Sequence, residues 1–315
     1  MKMSEDQKEY IREFNILLDK GEYSFKEEPC LCGNDTSEQI ADRDRYGFWH
    51  PVKVCRVCGL VRNNPRMTDE SYQNFYSSDY YRKVYGGENY LAELEKRMSS
   101  DFGQHVYNDI SLCLNPQSFK NVLEFGCAGG WNLQPFARAG LSVRGYDYSP
   151  SLVKLGQKFG LDLRVGSIGD IEGKYDLIIL NHVIEHFTDF FGSMERLTSH
   201  INPNGYVYIG VPNIDNYGQA QLQNAHIYYF SPRTFKYYMS RCGINLIRFG
   251  QAQGIHMYGI FQPGQGTEEQ INLDSEFETI MSIVQKAKIR HKIGNMLKIL
   301  RIKGPIQKIW NKFHL

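Results

Sequence analysis

Glu124-Phe125-Gly126-Cys127-Ala128-Gly129-Gly130 is the stretch that decides how this chain folds. It joins an apolar run, Val122 to Phe125, to an amphipathic run, Trp131 to Ala139, that Gly140 closes. The first reads as a buried strand and the second as a helix. The small residues between them let the backbone turn sharply and come close to a ligand. The helix N-terminus beyond adds free amide donors and a positive dipole.

Working outward, strand and helix keep alternating. Leu141 to Tyr146 reads as a second strand, with Ser149 or Ser151 as the cap of the helix after it. Leu161 to Val165 is a third. Tyr175 to Leu180 is a fourth, whose continuous apolar run implies cover on both faces. Phe187 to His200 follows as a helix with Phe187, Phe190, Phe191, Met194 and Leu197 inward. Pro203-Asn204-Gly205 turns into a fifth strand, Tyr206 to Val211. A helix from Ser231 to Cys242 and strands near 244–250 and 256–262 complete the pattern. The expected fold is α/β, a Rossmann-like doubly wound sheet of seven strands. Upstream, helices are expected over residues 1–20 and 89–113. The expected boundaries are 1–66 for an N-terminal helix and cysteine region and 67–113 for an aromatic linker and helix. A ligand-binding catalytic domain then spans 114–265, with a basic helical tail at 266–315.

Composition sets the outer limits. A chain of 315 residues that is 42% hydrophobic can bury a core without disulfides. No run approaches the roughly 18 apolar residues of a membrane span. The charged start (Lys2, Glu5, Asp6, Lys8, Glu9) is unlike a signal peptide, so a cytoplasmic setting with reduced cysteines is expected. The net charge of +1 conceals an asymmetry: residues 281–315 hold nine basic side chains and no acidic one. The other 280 residues carry 27 basic and 35 acidic groups, so an acidic body precedes a basic tail.

A dinucleotide fingerprint counted from Gly126 would put its third glycine at Trp131, so that reading fails. Asp147 ends the second strand, 17 residues after Gly130, where a carboxylate can accept both hydroxyls of a ribose. This spacing resembles the acidic-x-G-x-G-x-G motif of class I S-adenosylmethionine-dependent methyltransferases, and the resemblance covers roughly residues 100–262. Glu124, Gly126, Gly130 and Asp147 match. Ala128 stands at the usual middle glycine, which is tolerable if its φ stays negative. The resemblance implies that Cys127 and Ala128 line the cofactor turn and that Tyr148 packs on adenine. It further implies that Ser167 and Ile168 cover the other adenine face and that Asn181 closes the site at the end of the fourth strand.

The chemistry is expected just beyond, in Asn181-His182-Val183-Ile184-Glu185-His186. Ligands of α/β proteins bind at the C-terminal ends of strands. This block resembles the "H-V-x-E-H" segment of a methyltransferase subgroup that often modifies sugars. Val211-Pro212-Asn213 and His226-x-x-x-Phe230-Ser231-Pro232-x-Thr234 resemble that subgroup too. The reading assigns His182 or His186 as general base toward an acceptor hydroxyl, Glu185 as its orienting carboxylate and His226 as an acceptor-binding residue. A bland alternative has both histidines satisfied by backbone at a strand end and a helix start. Glu185, His186 and a distant His226 also offer donors for a divalent ion, short of the further acidic and histidine ligands such a site would draw on.

Cys30-x-Cys32-Gly33 and Cys55-x-x-Cys58-Gly59 form two paired loops with 22 residues between them, and four thiolates suit tetrahedral zinc. A glycine after each pair allows a tight knuckle. The region resembles the zinc-ribbon ahead of many bacterial methyltransferases, which implies structural zinc. Tyr72, Phe75, Tyr76, Tyr80, Tyr81, Tyr85 and Tyr90 then crowd the linker. The resemblance makes Tyr80 and Tyr81 lid candidates. In the tail, Ile293, Met296, Leu297, Leu300, Ile302, Ile306 and Trp310 lie among basic residues, broken by Gly304-Pro305. Such a segment suits peripheral contact with the inner membrane surface, or packing on its own domain or on a second copy in a homodimer. The expected partner is a small-molecule or glycan acceptor. RNA methylation, gripped by ribbon and tail, is the rival activity, against which the acidic body argues. A non-catalytic scaffold in glycan assembly is the third reading.

Overall fold

The computed structural model describes residues 3–77, 84, 90–218, 222–252, 254–264 and 271–299. The chain opens with helix α1 (Glu5–Asp19), which Ser4 caps by accepting from Gln7 N while the Gln7 side chain reaches back to Ser4 N. Its buried Phe14 packs edge-on against Phe48 and Phe75 and tilts over Tyr23. Strands β1 (Phe25–Lys26), β2 (Ser37–Arg43), β3 (Trp49–Cys55), β4 (Val61–Asn63) and β5 (Arg66–Met67) follow, then helix α2 (Asp69–Ser77).

The single helix expected over 89–113 is two, α3 (Tyr90–Met98) and α4 (Gln104–Ser111). The reason lies at Gly103 between them: a Cβ there would stand 2.0 Å from the Trp131 carbonyl oxygen. Only a glycine lets this corner lie flat against the exit of the Gly126–Gly130 turn.

Seven strands build the central sheet: β6 (Asn121–Phe125), β7 (Ser142–Asp147), β8 (Asp162–Val165), β9 (Tyr175–Asn181), β10 (Ile201–Pro212), β12 (Ile244–Gln251) and β13 (His256–Pro263). Their order is β12-β13-β10-β9-β6-β7-β8, all parallel except β13, which runs antiparallel to both neighbours. The order reverses between β6 and β9, so their C-terminal ends open a crevice. The doubly wound, seven-stranded expectation is met. The helices are α5 (Gln134–Arg138), α6 (Pro150–Lys158), α7 (Phe190–Ser199), α8 (Pro232–Arg241) and α9 (Glu276–Ile299). Two start later than expected. Trp131–Leu133 belong to turns, and Ile184–His186 form a 3-10 turn before Asp189 caps α7. Ser149 caps α6, as one of the two candidates.

A second sheet, in the order β11-β4-β3-β2, carries the cysteine loops. Its outer member β11 (Tyr228–Tyr229) comes from the far side of the sequence and pairs with β4 as Tyr228↔Arg62 and Tyr229↔Val61. Helix α9 lies against this sheet, burying Ile280 and Val284 in one cluster with Ile40, Val52, Val54, Val61 and Tyr229. The start of the basic tail thus packs on its own chain. Residues 300–315, with Gly304-Pro305 and Trp310, fall outside the described residues, as do Tyr80, Tyr81 and Tyr85. Among the described residues no helix is long and apolar enough to cross a membrane.

Candidate active site

The Gly126–Gly130 turn leaves β6 with Gly126, Ala128 and Gly130 all at positive φ. Ala128 departs from expectation: its φ is +48°, in the left-handed region, at a typical cost of about 1–2 kcal/mol. What holds it is Asp147. One carboxylate oxygen accepts from Ala128 N and the other from Ser149 N, each at 2.8 Å. Asp147 therefore ties the turn to the end of β7. Tyr148 beside it is 65% exposed, its ring edge-on to Phe125, so a flat face is open for stacking. Ser167, half-buried, caps the short turn Ile168–Asp170 after β8. Asn181 ends β9 and is so close to Gly210 that a Cβ there would lie 2.4 Å from its amide oxygen. Cys127 is buried under the turn, which pushes its thiol up.

Glu124 is 1% exposed; one oxygen accepts from Asn132 Nδ2 at 2.7 Å. Burial pushes its carboxyl up from 4.5 to about 8, so it is neutral at pH 7. A raised acid pKa stabilises the fold at low pH, and that stability is lost as pH rises from about 4.5 through about 8. At about 1.4 kcal/mol per unit the loss is on the order of 5 kcal/mol. Glu124→Gln keeps a neutral side chain and flattens this dependence. Urea unfolding of ligand-free wild type and variant at about pH 5 and pH 8.5 checks it. Parallel pH profiles would refute the buried neutral carboxyl.

The histidine block follows β9. His182 is left-handed, φ +60°, with its N–H on the Gly210 carbonyl at 2.8 Å. A strained non-glycine residue at a strand end is a recurrent mark of functional sites. Its Nδ1 lies 3.3 Å from Oε1 of Glu185, which is fully buried, while the imidazole itself is 36% exposed. His256, at the start of β13, stands edge-on to His182 with ring centres 4.5 Å apart. Sequence reading missed His256; only the antiparallel register that sets it opposite Pro212 reveals it. His186 is half-buried, with Nδ1 2.9 Å from the Ala225 carbonyl and 2.9 Å from the Tyr76 hydroxyl on α2. Burial lowers its pKa. His226 stacks edge-on against His186 with centres 4.8 Å apart, and burial beside other cationic groups drives its pKa well down. The structure thus gathers His182, Glu185, His186 and His226, and adds Tyr76 and His256.

The cysteine sheet forms the back wall. Asp44, between β2 and β3, accepts from Asn224 N as well as from Tyr46 N and Phe48 N, and burial pushes its carboxyl up to about 6. Arg45 N donates to the Leu222 carbonyl and Asn63 N to the Ile227 carbonyl. His50 Nε2 meets the Tyr229 hydroxyl at 2.7 Å. The segment 222–229 around His226 is therefore held by residues 44–63. Further out, the donor atoms of Cys30, Cys32, Cys55 and Cys58 lie within 4.8 Å of one another. Cys30 and Cys58 sulfurs are 3.5 Å apart, and those of Cys32 and Cys55 3.6 Å. Four sulfurs about 2.3 Å from one tetrahedral ion stand about 3.8 Å apart, so the residues fit zinc. Gly33 (φ +83°) and Gly59 (φ +70°) form the two knuckles. Gly59 also leaves no space for a side chain, since a Cβ would fall 2.5 Å from Glu276.

Residues 95–248 match the methyltransferase-domain family. The ubiquinone biosynthesis O-methyltransferase of Azorhizobium caulinodans is 28% identical over 109 residues, covering 32% of this chain and 43% of that protein. Its counterpart in Chelativorans sp. is 26% identical over 132 residues, covering 39% and 50%. The chain thus spans half or less of the length of these curated relatives. Among solved structures, the 1,6-didemethyltoxoflavin-N1-methyltransferase of Burkholderia thailandensis aligns over 73% of this chain and all of its own, with 14% identity and a TM-score of 0.49. The family match covers the Gly126–Gly130 turn, Asp147 and the 181–186 block. Residues 95–248 therefore form a methyltransferase domain.

Proposed function

We propose that this chain methylates a hydroxyl of a sugar, nucleotide sugar or surface-glycan intermediate, with His182 as the general base. The observation that carries the reading is the Glu185–His182 pair at the end of β9, beside the Gly126–Gly130 turn and Asp147. The buried carboxylate holds Nδ1, which leaves Nε2 as the nitrogen that accepts a proton. S-adenosylmethionine, when bound, supplies an electrophilic methyl group and leaves as a neutral thioether. Asp147 and Tyr148 hold the ribose and adenine, with Ser167 and Ile168 on the far face. As the new C–O bond forms, the hydroxyl proton passes to His182 Nε2. His226 and His186 line the acceptor side. The sugar assignment is supported by the His182–His186 block, Val211-Pro212-Asn213 and the His226–Thr234 segment. Zinc on the four cysteines keeps the back wall folded. We place the protein in the cytoplasm, with residues 281–315 as the segment for membrane-surface or partner contact.

Asp147→Ala is expected to weaken S-adenosylhomocysteine binding by about 1–3 kcal/mol, through lost hydrogen bonds to charge and a loosened turn. Calorimetry measures it, and unchanged affinity would remove Asp147 from the ribose. The deciding experiment is transfer of labelled methyl to nucleotide sugars, a lipid-linked glycan extract and total RNA. Label in the sugar or glycan fractions supports the reading; label in RNA alone overturns it.

A further inference from the structure

We infer that Glu185, His186 and His226 form a binding site for one divalent transition-metal ion at the acceptor end of the crevice. Their donor atoms all lie within 4.8 Å of one another, well away from the cysteine cluster in the chain. Two of these residues are nearly inaccessible: Glu185 is 0% and His226 4% exposed. Each points one polar atom at nothing, since Oε2 of Glu185 and Nδ1 of His226 are buried without a hydrogen-bond partner. Oε2 of Glu185 carries free lone pairs, since Oε1 serves His182. Gln223 Nε2 donates to Nε2 of His226, so the neutral ring holds its proton on Nδ1. An ion binding there takes the place of that proton, which moves to Nε2 as the Gln223 amide turns. A buried carboxylate oxygen with no donor is costly unless a cation or a proton donor joins it.

The third donor, on His186, needs no such proton shift. The Ala225 carbonyl can only accept, so His186 carries its proton on Nδ1 and presents the lone pair of Nε2. A carbonyl holding the distal nitrogen is the arrangement that orients ligating histidines. Two imidazoles and a carboxylate suit zinc, iron, cobalt or manganese rather than magnesium or calcium. Bonds of about 2.1 Å place ligand atoms roughly 3–3.5 Å apart, so the ion draws the three inward by about an ångström. Three protein ligands leave coordination positions open. An acceptor hydroxyl bound there becomes more acidic beside His182, which lowers the demand on the base. A diol or another oxygen pair is the acceptor chemistry that fills two such positions.

The inference adds to the proposed function and is separable from it, because its readout is metal binding. The probe is Mn2+, titrated into the purified full chain and followed by the electron paramagnetic resonance of the free ion. The cysteine site competes poorly, since thiolates disfavour manganese. One saturable Mn2+ per chain is expected, with affinity at least about tenfold weaker in Glu185→Gln and in His226→Gln. Glu185→Gln keeps the side-chain volume, and circular dichroism shows whether each variant folds. If one does not, the other and the wild-type stoichiometry decide. No saturable Mn2+ up to about 1 mM, or equal affinity in a folded variant, overturns the site. Methyl transfer to a glycan acceptor by a chain that binds no Mn2+ would overturn it while leaving His182 in place.

Discussion

His182→Ala lowers methyl transfer by about 10²–10⁴-fold, the usual range for a positioned general base, and leaves affinity for S-adenosylhomocysteine unchanged. The split follows from the geometry. His182 meets Glu185 through Nδ1, His256 through its ring and Gly210 through its backbone, none of which lies in the Gly126–Gly130 turn. Its left-handed φ of +60° adds a control, because His182→Gly removes the imidazole and relieves the backbone together. The glycine variant is therefore at least as stable as the alanine variant and no more active. Steady-state transfer and calorimetry on the three proteins make the measurement. Near-normal turnover without His182 would pass the proton to His186 or end the general-base mechanism.

If the four cysteines hold the zinc that they fit, removing it by chelation or by Cys58→Ser is expected to have the second large effect. Structural zinc supplies about 10–16 kcal/mol in small zinc-finger peptides, so its loss unfolds the knuckles. The damage has a direction. Strand β4 leaves the Cys55–Gly59 knuckle directly and pairs with β11, two residues after His226. Tyr238 on α8 donates to Cys58 sulfur at 3.1 Å, so α8 loosens as well. Strands β6 and β7, which bear the Gly126–Gly130 turn and Asp147, belong to the other sheet. Acceptor turnover is therefore expected to fail before cofactor binding. Metal content, thermal unfolding and S-adenosylhomocysteine affinity on one sample test the order. An unchanged melting curve in verified metal-free protein would exclude a structural role.

Local signals carried most of the fold. Glycine turns, apolar runs and capping serines mark the parallel strands and their helices, because each signal lies within a few residues of what it specifies. The cysteine pairs were legible for the same reason. What stayed hidden depends on distant partners. Ala128 is left-handed because Asp147, at the end of the neighbouring strand β7, accepts its amide. The break at Gly103 answers to Trp131. Tyr76 reaches His186, and His256 reaches His182, only once helix α2 and strand β13 have docked. The two-residue strand β11 has no period to read.

That short strand has a consequence for inheritance. Residues 61–63 and 228–229 are hydrogen-bonded neighbours, though most of the methyltransferase domain lies between them in the chain. The wall behind His226 is thus written in two distant passages of the gene. A chimera that trades only the first 77 residues with a relative would pair mismatched edges. One that also trades 222–231 would carry the wall across whole. In this architecture, acceptor preference is expected to travel as a matched pair of segments and not as a detachable front module.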